Sequence, residues 1–109
     1  MAAAIKICGI STPETLDAVL VAQADHVGFN FFPPSPRHLG LAEASALAAR
    51  AGSRISKVGV FVDPDDDALR DAISAAKLDA VQLHGDESPA RSAAVRAQFG
   101  LPVLSLIHI

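Results

Sequence analysis

With 109 residues, half of them apolar, the chain is close to the usual size of one domain and holds enough hydrophobic material for a core. A formal net charge of -3 supplies no basic field for a phosphate backbone or a lipid headgroup, which argues against nucleic acid and membrane as partners. The single cysteine cannot form an internal disulfide, no apolar run approaches a membrane span, and the N-terminus enters a strand pattern without a signal segment, so a soluble, cytoplasmic protein is expected.

Taken in chain order, apolar runs alternate with segments of helical spacing. Ile5 to Ile10 predicts a first strand, and Thr12 an N-cap with Pro13 at the first helical position, Glu14 in the first turn and Leu16, Val19 and Leu20 as the apolar stripe. His26 to Phe31 predicts the second strand. It is followed by Phe32-Pro33-Pro34-Ser35-Pro36-Arg37-His38, whose three prolines predict a stiff loop. An alanine-rich helix over Ala42 to Ala51 closes at Gly52, and Lys57 to Val62 forms the third strand. Asp65-Asp66-Asp67 opens the next helix, which carries Leu69, Ala72, Ile73 and Ala76; the acidic run reads as a solvated first turn rather than a cation site. Ala80 to Leu83 is the fourth strand, Ser88-Pro89 starts a helix that stops near Phe99-Gly100, and a fifth strand begins at Val103.

Strands that alternate with helices point to a parallel sheet of right-handed βαβ units, either open and doubly wound or part of a barrel. Side-chain parity separates the two. Ile5, Ile7, Val27, Phe29, Phe31, Val58, Val60, Val62, Val81 and Leu83 make one set, wholly apolar. Lys6, Cys8, His26, Gly28, Asn30, Gly59, Phe61, Asp63, Gln82 and His84 make the other. One apolar set with polar strand ends on the opposite set fits a barrel whose interior turns polar toward the C-terminal mouth. Such a barrel needs eight units and typically ~250 residues. The expectation is therefore an α/β parallel (β/α)8 TIM barrel present as a partial barrel, residues 1–109 forming one domain of about four βα units plus a fifth strand.

The composition offers little else in the way of chemistry. No zinc-like spacing, no H-E-x-x-H, no phosphate-cradling glycine loop and no nucleophile elbow occur, so neither a metal nor a cofactor is expected. Cys8 is either a small buried hydrophobe or a nucleophile or base at the mouth of a site. Lys6 on the same face either stabilises a thiolate or is an interior ion-pair partner. Arg37 suits a carboxylate or phosphate through its two-pronged fork, or is simply exposed on its loop. His84 either meets a substrate or hydrogen-bonds within the mouth.

Four ordered motifs at strand ends, KICGI at 6–10, DHVGFNFFPPSPRHL at 25–39, KVGVFVD at 57–63 and DAVQLHGDES at 79–88, resemble the phosphoribosylanthranilate isomerases of tryptophan biosynthesis. The resemblance covers residues 5 to about 104. It implies a barrel enzyme without metal or cofactor that performs an Amadori rearrangement of N-(5'-phosphoribosyl)anthranilate, an aldose-to-ketose isomerisation. Cys8 would be the general base and Arg37 would hold the anthranilate end, with His84 also on the substrate. Lys6, Asn30, Asp63 and Gln82 would support the barrel mouth. The family's general acid, an aspartate after its sixth strand, and its phosphate-binding loops after the seventh and eighth have no counterpart among the matched motifs, so the isolated chain is expected to be inactive. Leu104-Ser105-Leu106-Ile107-His108-Ile109 departs from the family's usual continuation and equals the translation of CTGTCTCTTATACACATC, a transposase-adapter end; residues 104–109 are therefore expected to be a non-native tail. A different class stays open: a noncatalytic phosphosugar- or anion-binding half-barrel that self-associates through exposed strand edges.

Overall fold

The computed structural model describes residues 6–31, 39–62, 64–83 and 89–105, with Leu104 and Ser105 described through their backbone alone. Five strands, β1 (Lys6–Cys8), β2 (His26–Asn30), β3 (Ser56–Phe61), β4 (Ala80–Leu83) and β5 (Val103–Ser105), alternate with four helices, α1 (Pro13–Val21), α2 (Leu41–Ala51), α3 (Asp66–Ala76) and α4 (Pro89–Phe99).

The helix ends follow from local chemistry. Thr15 N donates to Thr12 Oγ1 at 3.2 Å, and Ala68 N donates to Asp65 Oδ1 at 2.7 Å, so each cap satisfies an amide that has no partner within its helix. Gly40 N donates to Glu43 Oε1 at 3.3 Å, which anchors the entry to α2. At the other ends, α2 and α4 stop at Gly52 and Gly100, whose φ angles of 59° and 68° are readily adopted by glycine.

All five strands are parallel, and each lies beside its sequence neighbours in the order β1-β2-β3-β4-β5. With right-handed crossovers, an order that never reverses puts every helix on the same face of the sheet. A doubly wound sheet would need a reversal. The core agrees: Val27, Phe29, Phe61, Val81 and Leu83 from the sheet form one cluster with Leu16 of α1, Leu47 of α2, Leu69 of α3 and Val95 of α4. Leu16, Val27, Phe29, Leu69 and Val81 are fully buried, which stabilises the fold by roughly 1.5–3 kcal/mol per side chain. The result is one wall of a (β/α)8 barrel, four βα units followed by a fifth strand.

The register corrects the expected parity of β3. Gly28 lies beside Val58 and Asn30 beside Val60, while Val27 lies beside Lys57 and Phe29 beside Gly59. Val58 and Val60 therefore share the inner face with Cys8, Gly28, Asn30, Ala80 and Gln82, and Gly59 and Phe61 face the helices. Consistently, Val58 and Val60 are buried but stand apart from the helix-side cluster, which contains Phe61. Phe61 stacks on Phe31 with ring centroids 5.2 Å apart. Parity by polarity fails here because β3 is apolar on both faces, as inner parallel strands commonly are.

Polar ties hold the rim. Arg50 donates to Asp17 through Nε at 2.8 Å and Nη2 at 2.6 Å, joining α2 to α1. Arg91 Nη2 donates to Pro64 O at 3.0 Å and Arg91 Nη1 lies 2.8 Å from Asp66 Oδ1, so the start of α4 is fastened to the start of α3. At the opposite end of the sheet, Lys57 Nζ donates to Gly52 O at 2.8 Å, and Arg54 reaches the carbonyls of Arg50 and Ala51. These cations satisfy carbonyls at the C-terminus of α2, which is a stabilising use of charge.

Candidate active site

Two glycines place Cys8. Gly9 has φ 78°, a conformation that costs other residues energy, and both Gly9 N and Ile10 N donate to Gly28 O, at 3.0 and 3.3 Å. The chain therefore turns directly after Cys8, and Ile10 enters the helix-side core. This is why β1 ends at Cys8 and not at Ile10, the expected end of the apolar run. The second glycine is Gly28, the register partner of Cys8. A Cβ built at Gly28 would lie 3.0 Å from Cys8 Sγ, 3.2 Å from its Cα and 3.3 Å from its Cβ, so Cys8 occupies the space that a side chain at 28 would take. Sequence reasoning did not single out Gly9 or Gly28. The visible signal was a glycine one residue after the cysteine and another in the middle of the next strand.

Cys8 is exposed, and Lys6 is half-buried beside it on the inner face of β1. Asn30 at the tip of β2 is half-buried and shares a row with Val60 and Gln82. Gln82 is buried, and its Oε1 has no partner among the described residues. The structure thus brings Lys6, Cys8, Asn30 and Gln82 onto one face, separated by Val58, Val60 and Ala80. Arg37, His84 and Asp63 lie outside the described residues.

The segment between β2 and α2 is pinned at both ends. Phe31 N donates to Val60 O at 3.0 Å, and Leu39, itself buried, donates from its N to Asn30 O at 2.9 Å. Both anchors sit at the C-terminal tips of strands, the end where barrel chemistry gathers.

A depression of about 910 Å³ opens at the other end of the sheet among Ala24, Gly52, Arg54, Ile55 and Lys57. Arg54 and Lys57 there are bonded to carbonyls at the C-terminal end of α2, so this hollow is structural and the polar strand ends at the opposite edge are the better candidate for chemistry. Among the described residues no cluster of three or more His, Cys, Asp or Glu side chains is arranged to hold a metal ion, and no helix is long and apolar enough to cross a membrane.

Comparison with known proteins agrees with the geometry. Residues 5–107 match the family described as N-(5'phosphoribosyl)anthranilate (PRA) isomerase. A relative from Rhodopseudomonas palustris (strain HaA2), named N-(5'-phosphoribosyl)anthranilate isomerase, is 50% identical over 109 residues, which are 100% of this chain and 50% of the relative. The crystal structure of phosphoribosyl anthranilate isomerase from Thermus thermophilus has a TM-score of 0.85 at 33% identity, covering 98% of this chain and 52% of its own. A further crystal structure of the isomerase, in complex with reduced 1-(o-carboxyphenylamino)-1-deoxyribulose 5-phosphate, has a TM-score of 0.84 at 32% identity, covering 95% of this chain and 53% of its own. The chain spans about half the length of the relatives it matches. With the family matched over nearly all of its residues, this chain belongs to the N-(5'-phosphoribosyl)anthranilate isomerases.

Proposed function

We propose that the chain supplies the general base and the substrate-holding loop of an N-(5'-phosphoribosyl)anthranilate isomerase acting in the cytoplasm in tryptophan biosynthesis. In the Amadori rearrangement a general acid protonates the ribose ring oxygen, the ring opens to an imine, and a base removes the C2' proton to give an enolamine that tautomerises to the ketose. Cys8 takes the base's role as its thiolate, with Lys6 two residues earlier on the same face supporting the mouth. Arg37 pairs with the anthranilate carboxylate, in a segment held at both ends by Phe31 and Leu39. His84 meets the substrate from the tip of β4, with Asn30, Gln82 and Asp63 supporting the mouth. The observation that carries this reading is the position of Cys8, the last residue of β1 on the inner face, with space cleared for it by Gly28.

The acid and the phosphate grip come from beyond the strands described here, so the chain alone should not turn over substrate. The test is a fluorescence assay of phosphoribosylanthranilate consumption by the chain alone and by the chain joined to the second half of its R. palustris relative. The chimera should be active and the chain should stay at background. Cys8→Ala in the chimera should lower kcat by about 10²–10⁴, the usual worth of a positioned base. Full activity of that variant would remove Cys8 from the mechanism.

A binding role without catalysis is supported by a separate observation. Among the described residues β1 and β5 each pair with one strand only, and Ile7 in β1 is partly exposed. In this reading two copies pair through those edges and hold a phosphosugar or other anion. Sedimentation distinguishes it: a discrete dimer whose formation is strengthened by a ribose phosphate supports the reading, and a monomer unaffected by it does not.

A further inference from the structure

We propose that Gly28 is the positioning residue for Cys8, setting both where the thiol sits and where the strand that carries it ends; the inference deepens the reading of Cys8 as the base. Glycine inside a strand is conformationally costly and normally needs a reason. At Gly28 that reason is not a positive φ, which belongs to Gly9, Gly52 and Gly100. It is the approach of Cys8, whose Sγ, Cα and Cβ all come within 3.3 Å of a Cβ built at 28. Neighbouring strands run about 4.8 Å apart, so a Cβ that meets the neighbour's Cα at 3.2 Å would lie well inside that spacing.

The backbone of Gly28 makes the complementary contribution. Its carbonyl receives Gly9 N and Ile10 N together, which fixes the turn just after Cys8. The absent side chain and the carbonyl act on the same group from two directions. A methyl at 28 pushes the thiol off its place over β2 and loads the turn that holds it. Gly28 does not touch the reacting atoms; it acts through Cys8.

The inner-face Gly28 has a natural control in Gly59, where an added Cβ would crowd Leu78 and Phe61 on the opposite, helix-facing side. Because Cys8 is the chain's only cysteine, alkylation by iodoacetamide reports on it alone. The experiment compares the second-order alkylation rate from pH 6 to 10 in native chain, Gly28→Ala and Gly59→Ala. The expected result is a Gly28→Ala profile displaced at least threefold in rate, or shifted along the pH axis, with Gly59→Ala superimposing on the parent. A Gly28→Ala profile that superimposes on the parent, or an equal displacement by Gly59→Ala, overturns the proposal.

If Gly28→Ala folds too weakly for that comparison, a double-mutant cycle with Cys8→Ala replaces it. Removing Sγ should shrink the effect of Gly28→Ala on the folding equilibrium constant at least threefold, and an undiminished effect overturns the proposal. The two readings fail separately. An unaltered thiol profile refutes the role of Gly28 and leaves Cys8 as the base, whereas unimpaired turnover by the Cys8→Ala chimera refutes the base and leaves the thiol's dependence on Gly28 intact.

Discussion

Gly59→Ala tests the register at the centre of the sheet. A Cβ at this position would lie 2.5 Å from Leu78 Cδ1, 2.8 Å from Phe61 Cε2 and 3.2 Å from Phe61 Cζ. Carbon atoms rest at about 3.5–4.0 Å, so the leucine methyl must withdraw by roughly 1 Å and the ring by somewhat less. A methyl alone could rotate away, but Leu78 and Phe61 are both buried and Phe61 is stacked on Phe31. Overpacking of this kind costs about 1–3 kcal/mol, and replacing a strand glycine returns about 0.5–1 kcal/mol. The midpoints of these two terms leave a net loss of about 1 kcal/mol, read by urea unfolding followed by far-UV circular dichroism. In the double variant with Leu78→Ala the combined loss should be smaller than the sum of the two singles, because the contact at fault is gone. Stability at or above the parent, or strict additivity with Leu78→Ala, would refute the placement of Gly59 against the helices and return Val58 and Val60 to that side.

Asp17 should make stability depend on acid. Its hydrogen bonds from Arg50, aided by the arginine's charge, hold the carboxyl below the ordinary aspartate value of 3.8. The folded form therefore gains from the ionised carboxylate above that value and loses the gain as pH falls through the lowered one. Thermal midpoints of the parent and Asp17→Asn should differ at pH 6 and draw together as the pH falls below 3.8, with the difference reduced by salt because both groups are exposed. Asp65→Ala removes the acceptor of Ala68 N and should cost about 1 kcal/mol in urea unfolding. Leu69→Ala, at a fully buried site between α3 and the sheet, should cost about 2–5 kcal/mol by the same measurement.

Helix starts and stops were legible because their chemistry is local. Thr12, Asp65, Gly52 and Gly100 all act within one helical turn of where they stand, and each is found at the end it marks. Strand faces were legible in β1, β2 and β4, where one set carries polar residues. They were not legible in β3, where Lys57 sits on the apolar set's side because its amine reaches Gly52 O at the edge of the core. A signal was present two residues upstream of Lys57: Ile55 has the parity of Gly59 and Phe61 and belongs to the buried cluster that contains Phe61. Beginning the strand at Lys57 hides that anchor. The barrel assignment survives because the strand order alone places all helices on one face. Gly28 escaped notice for another reason: its importance lies in a distance to a residue 20 positions earlier, which no local pattern encodes.

The corrected face of β3 also changes the chemistry expected around Cys8. With Val58, Val60 and Ala80 turned inward and buried, the wall beyond Gly28 is apolar rather than a continuous band of polar groups. Next to such a wall charges are less screened than in water. Lys6 is the cation on that face among the described residues of β1, and it shares an edge strand with Cys8. Cys8 itself is exposed here, with β2 as the only strand beside its own among the described residues. Under the proposed function, a second strand alongside β1 would remove water from the thiol while leaving Gly28 and the valines in place. Joining the missing strands should then alter the alkylation profile of Cys8 even before substrate is added, and an identical profile in chain and chimera would show that the site's environment is already complete in this half.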